Sequence, residues 1–462
     1  MKNEPQYRQI ASLLQTPIDS GTLKPGDKLP SVRHIAREYQ VSQMTALQAI
    51  RWLEQQGKIR AQARSGYFVA EVKSASAQTP EHDFVPLSTD ENLHLSLVGK
   101  PCQVRLDLAN AALDLYPTDR LSIIMRQLIY QHPELLGAPV HGMGYEPLRQ
   151  QIARRALDYG CALDLQEIMI TNGCIEALSL AIQAVTEPGD AVVVESPTYF
   201  VILQMLQQLG RQVIEIPTNQ QGIDLTRLEL ALQQTKVTAI VTIPNANNPQ
   251  GSTPDETHKQ QLIALAHQYE STLIEDDIYG DLSYLPMRPR PLRAFDDNVI
   301  LCSGFSKTLA PGFRIGWVAA GKHTPKLNAI KYTSTMGTAV YPQATIAEFL
   351  RTGRYDIHLK KLRKNLAIQI AAMRSEILNS FPAGTTVSQP AGGFVLWVEL
   401  PNQSLNTRQL FLKARTEGIG IAPGFLFASD ERFDHAFRLN AGVGWNDAIK
   451  IAIHRLAELL QT

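Results

Sequence analysis

The sequence predicts two modules of different class: a small, mainly α N-terminal winged helix-turn-helix, and a large α/β body that ends in a smaller α+β domain. Three observations predict this. The chain has 462 residues, too many for one ordinary hydrophobic core. From about residue 105, short apolar runs alternate with amphipathic segments, the signature of a largely parallel sheet covered on both faces. Charge is also uneven: residues 1–73 hold eleven Lys or Arg against six Asp or Glu, a net +5 that the rest of this neutral chain cancels. A basic module on an acidic body points to a polyanion partner for the module alone.

The first module reads as three helices and a hairpin. Residues 5–20 place Tyr7, Ile10, Leu13, Leu14 and Ile18 at helical spacing. Pro25-Gly26 makes a turn, and Ser31 then stands as N-cap of a helix reaching about Tyr39. Ser42 caps the next helix, with Ala46, Ala49, Ile50 and Leu53 on one face, and Gly57 ends it. Residues 58–70 alternate around Arg64-Ser65-Gly66 as strand, tight turn and strand. In such a plan the second helix, near 42–54, enters the major groove with Gln43 and Thr45 at its start. Arg33 lies on the helix before it, and Arg64 at the wing tip meets the minor groove or a phosphate. The competing reading is a small helical protein-interaction domain; charge and wing favour DNA. Residues 72–90 are small, polar and proline-containing without periodicity, and read as a linker.

The body is expected as a large domain over 91–345 and a small one over 346–462, with the DNA reader over 1–71. Its strand runs are 168–171, 191–195, 239–243, 272–276 and 299–302, with helices at 175–185, 199–209 and 255–269. After about residue 350 comes a long helix, then G-G-F-V-L-W-V-E-L and F-R-L-N. No apolar run approaches the roughly 20 residues that span a bilayer. The N-terminus lacks a signal-peptide core. Cys102, Cys161, Cys174 and Cys302 are scattered without metal-ligand spacing. A cytoplasmic protein without metal or membrane contact is expected.

The most informative stretch is S-G-F-S-K-T-L-A-P-G-F-R-I-G, 303–316. Lys307 stands among small residues and a hydroxyl, and Arg314 follows seven positions on. A lysine that reacts with an aldehyde must be able to lose its charge, and an arginine fork suits a phosphate dianion. Together they suit a Schiff base with pyridoxal 5'-phosphate (PLP). Other stretches converge. T-N-G-C-I-E-A-L (171–178) opens a helix whose amides can hold phosphate. N-N-P-Q-G (247–251) presents Asn248, and I-E-D-D-I-Y (274–279) presents carboxylates and a phenol at a strand end, where open α/β sheets bind ligands. A carboxylate keeps a pyridine nitrogen protonated, Asn and Tyr hydroxyl bonds stabilise a ring phenolate, and an aromatic such as Tyr199 stacks on the ring. Singly each has a plain alternative: Asp276 a strand-end cap, Asn248 a turn residue, Tyr199 a core aromatic. Their order together is what carries the reading.

Two resemblances follow from these motifs. The N-terminal module, through Q-Y-R-Q-I-A, L-K-P-G-D-K-L-P-S-V-R, V-S-Q-M-T and R-S-G-Y-F-V, resembles the DNA-binding domain of GntR-type regulators over its whole length. The resemblance implies that Ser31, Arg33, Ser42, Thr45 and Gly66 lie at the DNA surface. Relatives often carry Arg where Gln43 stands, an exchange that moves base preference from guanine toward adenine. Roughly residues 105–460 resemble fold type I PLP-dependent aminotransferases. That implies Lys307 as the cofactor lysine, Asp276 at the ring nitrogen, Asn248 and Tyr279 on the ring oxygen, and Tyr199 on the ring face. Gly173, Cys174, Ser306 and Arg314 would hold phosphate, and Arg438 a substrate carboxylate. Asp277 is the alternative to Asp276, which the D-x-x-Y spacing to Tyr279 favours. Three departures stand out: Gly304 where a phosphate-binding hydroxyl is usual, no tyrosine in A-P-V-H (138–141), and A-N-A-A (109–112) where glycine is frequent.

The whole layout resembles MocR-type regulators. It implies a homodimeric, DNA-binding transcription regulator that senses PLP, an amino acid or an amine. The alternatives are a working aminotransferase with an accessory DNA-binding module, and a regulator whose PLP domain is a fossil.

Overall fold

The computed structural model describes residues 6–19, 22–24, 26–56, 58–62, 66–69, 102–137, 142–401 and 406–461. The linker, Gly57, the wing-tip Arg64 and residues 138–141 lie outside them. The chain divides into two compact units, Met1–Thr89 and Asp90–Thr462.

In the first unit, helices α1 (Gln6–Asp19), α2 (Val32–Glu38) and α3 (Gln43–Gln55) close on a small core. Ile10, Leu14, Ile35, Ala46, Ala49, Ile50 and Leu53 fill it, with Leu29, Ile59 and Val69 from the flanking chain. Helices this short need that packing. Their starts are fixed by side chains: Ser31 Oγ accepts from the His34 amide at 3.2 Å and Ser42 Oγ from the Thr45 amide at 3.0 Å. Strands β1 (Ile59–Gln62) and β2 (Gly66–Val69) pair antiparallel, and Lys28 bridges to Phe68. Helix-turn-helix and wing are both present.

The second unit is built on an eight-stranded sheet ordered β4-β11-β10-β9-β8-β5-β6-β7. Its members are β4 (Ile168–Thr171), β5 (Ala191–Ser196), β6 (Gln212–Asn219), β7 (Gly222–Ile223), β8 (Val237–Thr242), β9 (Thr272–Asp276), β10 (Ile300–Gly304) and β11 (Gly316–Ala319). The five strands β10, β9, β8, β5 and β6 run parallel to their neighbours. β11 is reversed against both β10 and β4, and β7 against β6. Strand alternation divides the two faces. Val192, Val194, Ala239 and Val241 enter the larger core, while Val193 and Ile240 enter the core under helices Leu225–Gln234 and Glu256–Gln268. Both faces being covered explains the unbroken apolar runs.

A four-stranded antiparallel sheet of Thr386–Val387, Val395–Glu399, Ala436–Asn440 and Ala422–Pro423, in that order, carries a separate core with helices Thr407–Thr416 and Asp447–Leu459. The long helix Arg354–Ser380 serves both cores with one apolar stripe. Tyr355, Leu359, Leu362 and Leu366 lie in the larger core, and Ile370, Met373 and Ile377 in the smaller. Its buried residues pass from one core to the other between Leu366 and Ile370, within one continuous helix. Among the described residues no helix is long and apolar enough to cross a membrane, and no cluster of His, Cys, Asp or Glu has the makings of a metal site.

Candidate functional site

A cavity of about 240 Å³ opens at the C-terminal ends of β8, β9 and β10, and its walls include Asn110, Cys174, Tyr199, Asn248, Asp276, Tyr279, Ser306, Lys307 and Arg314. The carboxyl ends of the strands are where open α/β sheets bind ligands. Lys307 Nζ donates to the Ala109 carbonyl at 2.5 Å and to Asn110 Oδ1 at 3.4 Å. Burial, with Arg438 and Arg314 nearby, pushes the Lys307 ammonium down to about 8 against the pull of Asp276. About a tenth of the lysine is then a free amine at pH 7.

The two adjacent aspartates part company. Asp276 accepts from the Ile278 amide at 3.1 Å and from Cys174 Sγ at 3.3 Å, and burial pushes its carboxyl up to about 6. Asp277 turns the other way, taking Asn245 Nδ2 at 2.7 Å and the Arg288 guanidinium. Only Asp276 faces the cavity. The Tyr279 hydroxyl is buried with no hydrogen-bond partner. Arg438, 1% exposed, lies behind Asn248: its Nη1 donates to Asn248 Oδ1 at 3.1 Å and its Nη2 to the Asp107 carbonyl at 2.6 Å, while Nε has no partner.

Beside the cavity wall at Cys174 and Arg314, three glycines pack closely, although none of them lines the cavity itself. Gly173, at φ +90, caps helix Cys174–Val185, and a Cβ there would lie 2.6 Å from Arg314 Nη2. Gly304 pairs in register with Gly316, where a Cβ would lie 2.3 Å from the Gly173 carbonyl carbon. A Cβ at Gly304 would itself come 3.1 Å from Gly316 Cα and the Ile315 carbonyl. The absent hydroxyl at 304 thus has a local reason: β11 presses close. Arg314 adopts a left-handed φ of 53° and reaches back to the Asn172 carbonyl at 3.4 Å.

Several residues escaped the sequence reading. Buried Glu195 accepts from Thr242 Oγ1 (2.5 Å), the Ile243 amide (3.1 Å) and Asn247 Nδ2 (2.6 Å), and so fixes the turn that offers Asn248. Burial pushes it up to about 7. An acid closing the apolar run A-V-V-V-E was the available signal. Glu176 accepts from Asn172 and from buried Lys331 at 3.0 Å, steadying the turn before Gly173. Behind Asp277, Arg288 also pairs with Asp281 at 2.7 Å, and Arg155 joins Asp281 (3.2 Å) to Asp356 (2.6 Å). Tyr355 Oη donates to Asp281 Oδ2 at 2.9 Å and lies 2.8 Å from Thr308 Oγ1, next to the reactive lysine.

In the first unit, Ser31, Arg33, Ser42, Gln43 and Gly66 are exposed and Thr45 is half-buried. Ser42 and Thr45 also hold each other, with hydroxyls 2.8 Å apart, so their first task is capping α3. Gly66 sits at φ +113 beside Lys28, a backbone shape that suits glycine.

Comparison with known proteins agrees with both halves. Residues 138–456 match the family of aminotransferases class I and II, and residues 6–69 the gntR family of bacterial regulatory proteins. The HTH-type transcriptional regulator YdcR of Escherichia coli (strain K12) is 38% identical over 99% of each chain. Aromatic-amino-acid aminotransferase 1 of Thermococcus litoralis is 31% identical over 75% of this chain and 85% of its own. Among solved structures, the multiple substrate aminotransferase of Thermococcus profundus superposes with a TM-score of 0.75 at 28% identity, covering 82% of this chain and 96% of its own. The Pyrococcus horikoshii kynurenine aminotransferase, solved in complex with PMP, gives 0.75 at 29% identity over 81% and 95%.

Proposed function

The chain belongs to the aminotransferase class I and II family through its body and to the gntR regulators through its N-terminus, the MocR-type layout, and on that premise we propose that its body binds PLP and senses an amino acid or amine to control DNA binding. The observation that carries this is one cavity holding Lys307, Asp276 and an unpartnered Tyr279 hydroxyl, in a chain that also presents a winged helix.

The residues fit the cofactor. Tyr279 has a buried hydroxyl awaiting an acceptor, Asp276 a carboxylate with spare capacity, and Cys174 at the helix start, Ser306 and Arg314 all line the same cavity. When bound, PLP supplies an aldehyde that captures primary amines and a ring that withdraws electrons. Lys307 provides the amine that holds it, favoured by its low affinity for a proton. Asp276 keeps a proton at the ring nitrogen, and this favours Asp276 over Asp277, which Arg288 occupies. Asn248 and Tyr279 would donate to the ring oxygen, and Tyr199 would cover the ring face. Amides of Gly173 and Cys174, the Ser306 hydroxyl and the Arg314 fork would take the phosphate. Arg438, already desolvated, is left to bind an effector carboxylate.

An effector bound in the cavity would draw the smaller core over it, and closure would shift which arrangements a homodimer offers to an operator. On DNA, α3 lies in the major groove with Gln43 and Thr45 at its leading end, and Arg33 and Arg64 add phosphate or groove contacts. Such a regulator works in the cytoplasm, where its operator is.

The test is sequence-selective, salt-dependent DNA binding by the full chain that changes with an added amine and is weakened in Arg33→Ala. DNA binding indifferent to every amine, with or without PLP, would refute sensing. A second reading, a working aminotransferase, is favoured by the intact set Lys307, Asp276, Tyr279 and Arg438; steady multiple turnover of an amino acid with a keto acid distinguishes it.

A further inference from the structure

We infer that a hollow beside the first turns of helix Arg354–Ser380 is a second ligand site, for a small organic dianion with an apolar body, and that it acts on the Lys307 loop through His358. The hollow measures about 320 Å³ and shares no wall residue with the Lys307 cavity.

Its walls carry an unbalanced charge. Arg120, Arg354 and Lys361 line it, and none has an ion-pair or hydrogen-bond partner among the described residues. Asp114 is the one carboxylate among its described wall residues, which leaves three cations against one anion, a net +2. Elsewhere in the body, Arg155, Arg288 and Arg293 are all matched by carboxylates. Like charges gathered around a concave, partly apolar wall raise the local potential and attract an anion of opposite magnitude.

The helix itself arranges this. Arg354, Ile357, His358 and Lys361 stand at i, i+3, i+4 and i+7, one face of the helix, and all line the hollow. The face belongs to the helix's first two turns, where the macrodipole also favours negative charge. Between the cations lie Leu115, Phe349 and Leu362, and Ile357 is left 75% exposed at the rim. Cationic rim and apolar floor fit an anion carried on a hydrocarbon or aromatic body, rather than bare phosphate.

The link to the lysine is direct. His358 Nε2 lies 2.7 Å from the Thr308 carbonyl, and Thr308 follows Lys307. One turn earlier, Tyr355 holds the Thr308 hydroxyl. A ligand that tightens this turn of helix therefore tightens the loop that carries the lysine. Binding at the hollow stands independently of the PLP reading; only the purpose of the coupling rests on it.

The experiment titrates phenyl phosphate, with phenol and inorganic phosphate as controls, into the full chain by calorimetry. An Arg314→Ala background disables the anion floor of the first cavity. Phenyl phosphate should bind saturably and more tightly than either control. Lys361→Glu should weaken it about tenfold and Arg354→Glu/Lys361→Glu about 100-fold, each lost charge-assisted bond being worth roughly a factor of ten. Both positions are exposed, so the fold tolerates the change. Hydrogen exchange at the Thr308 and Leu309 amides should slow on binding, without cofactor present, and not in His358→Ala. Binding that the charge reversals leave untouched, or that appears only when Arg314 is intact, overturns the site. Unchanged exchange at Thr308 overturns the coupling.

Discussion

The two sides of the β9 edge are built from the same residue types to opposite ends. On the far side, Asp277, Arg288, Asp281, Arg155 and Tyr355 are mutually bonded, each charge facing an opposite one. On the near side, one residue away, Asp276 has a thiol and an amide, Lys307 rests on a carbonyl, and the Tyr279 hydroxyl has nothing. Buried polar groups are costly unless paired. The paired side is scaffold, and the unpaired side keeps its valences for a ligand.

This contrast can be broken or sharpened by measurement. The largest effect belongs to Arg288→Ala, which leaves buried Asp277 without a cation while Asp281 keeps Arg155: loss of about 3–5 kcal/mol in denaturant unfolding is expected, and a loss under 1 kcal/mol would deny the scaffold role. Tyr355→Phe removes one buried bond to Asp281 and should cost about 1–2 kcal/mol by the same assay. Lys307 gives a pH signature. Its folded pKa is about 8 against an ordinary 10.5, so between these values the unfolded chain binds the extra proton and cofactor-free stability should rise with pH. Lys307→Met should flatten that rise, and an equal slope in both proteins would show that the lysine is not desolvated. The smallest effect is expected for Tyr279→Phe, whose hydroxyl has no partner to lose: cofactor-free stability should change by less than about 0.5 kcal/mol, while PLP affinity, read from visible absorbance, falls. A large loss of stability without cofactor would mean the hydroxyl is already satisfied.

The near side was legible in the sequence because each of its groups sits in a local motif at a strand end: Lys307 in S-K-T-L-A-P-G, Asn248 in N-N-P, Tyr279 in D-D-I-Y. The far side was not, because its partners are remote in the chain. Arg155 meets Asp281 across 126 positions and Asp356 across 201, and no spacing rule reaches that far. The D-x-x-Y spacing favoured Asp276 over Asp277, but the engagement of Asp277 by Arg288 lay beyond any spacing rule. Parallel strands showed themselves as apolar runs, whereas β11, only four residues long, escaped notice because it begins at Gly316, the last residue of the lysine stretch. The winged helix was readable because caps and core positions alike are local.

The long helix has a mechanical meaning beyond its packing. At 1.5 Å per residue its 27 residues span about 40 Å, gripped near Thr308 at one end and buried in the smaller core at the other. It is a lever only beyond the larger core, which holds it as far as Leu366. From there to Ser380 is about 21 Å, so a tilt of about 5° at Leu366 would carry the far end, and the smaller core packed on it, through roughly 1.8 Å.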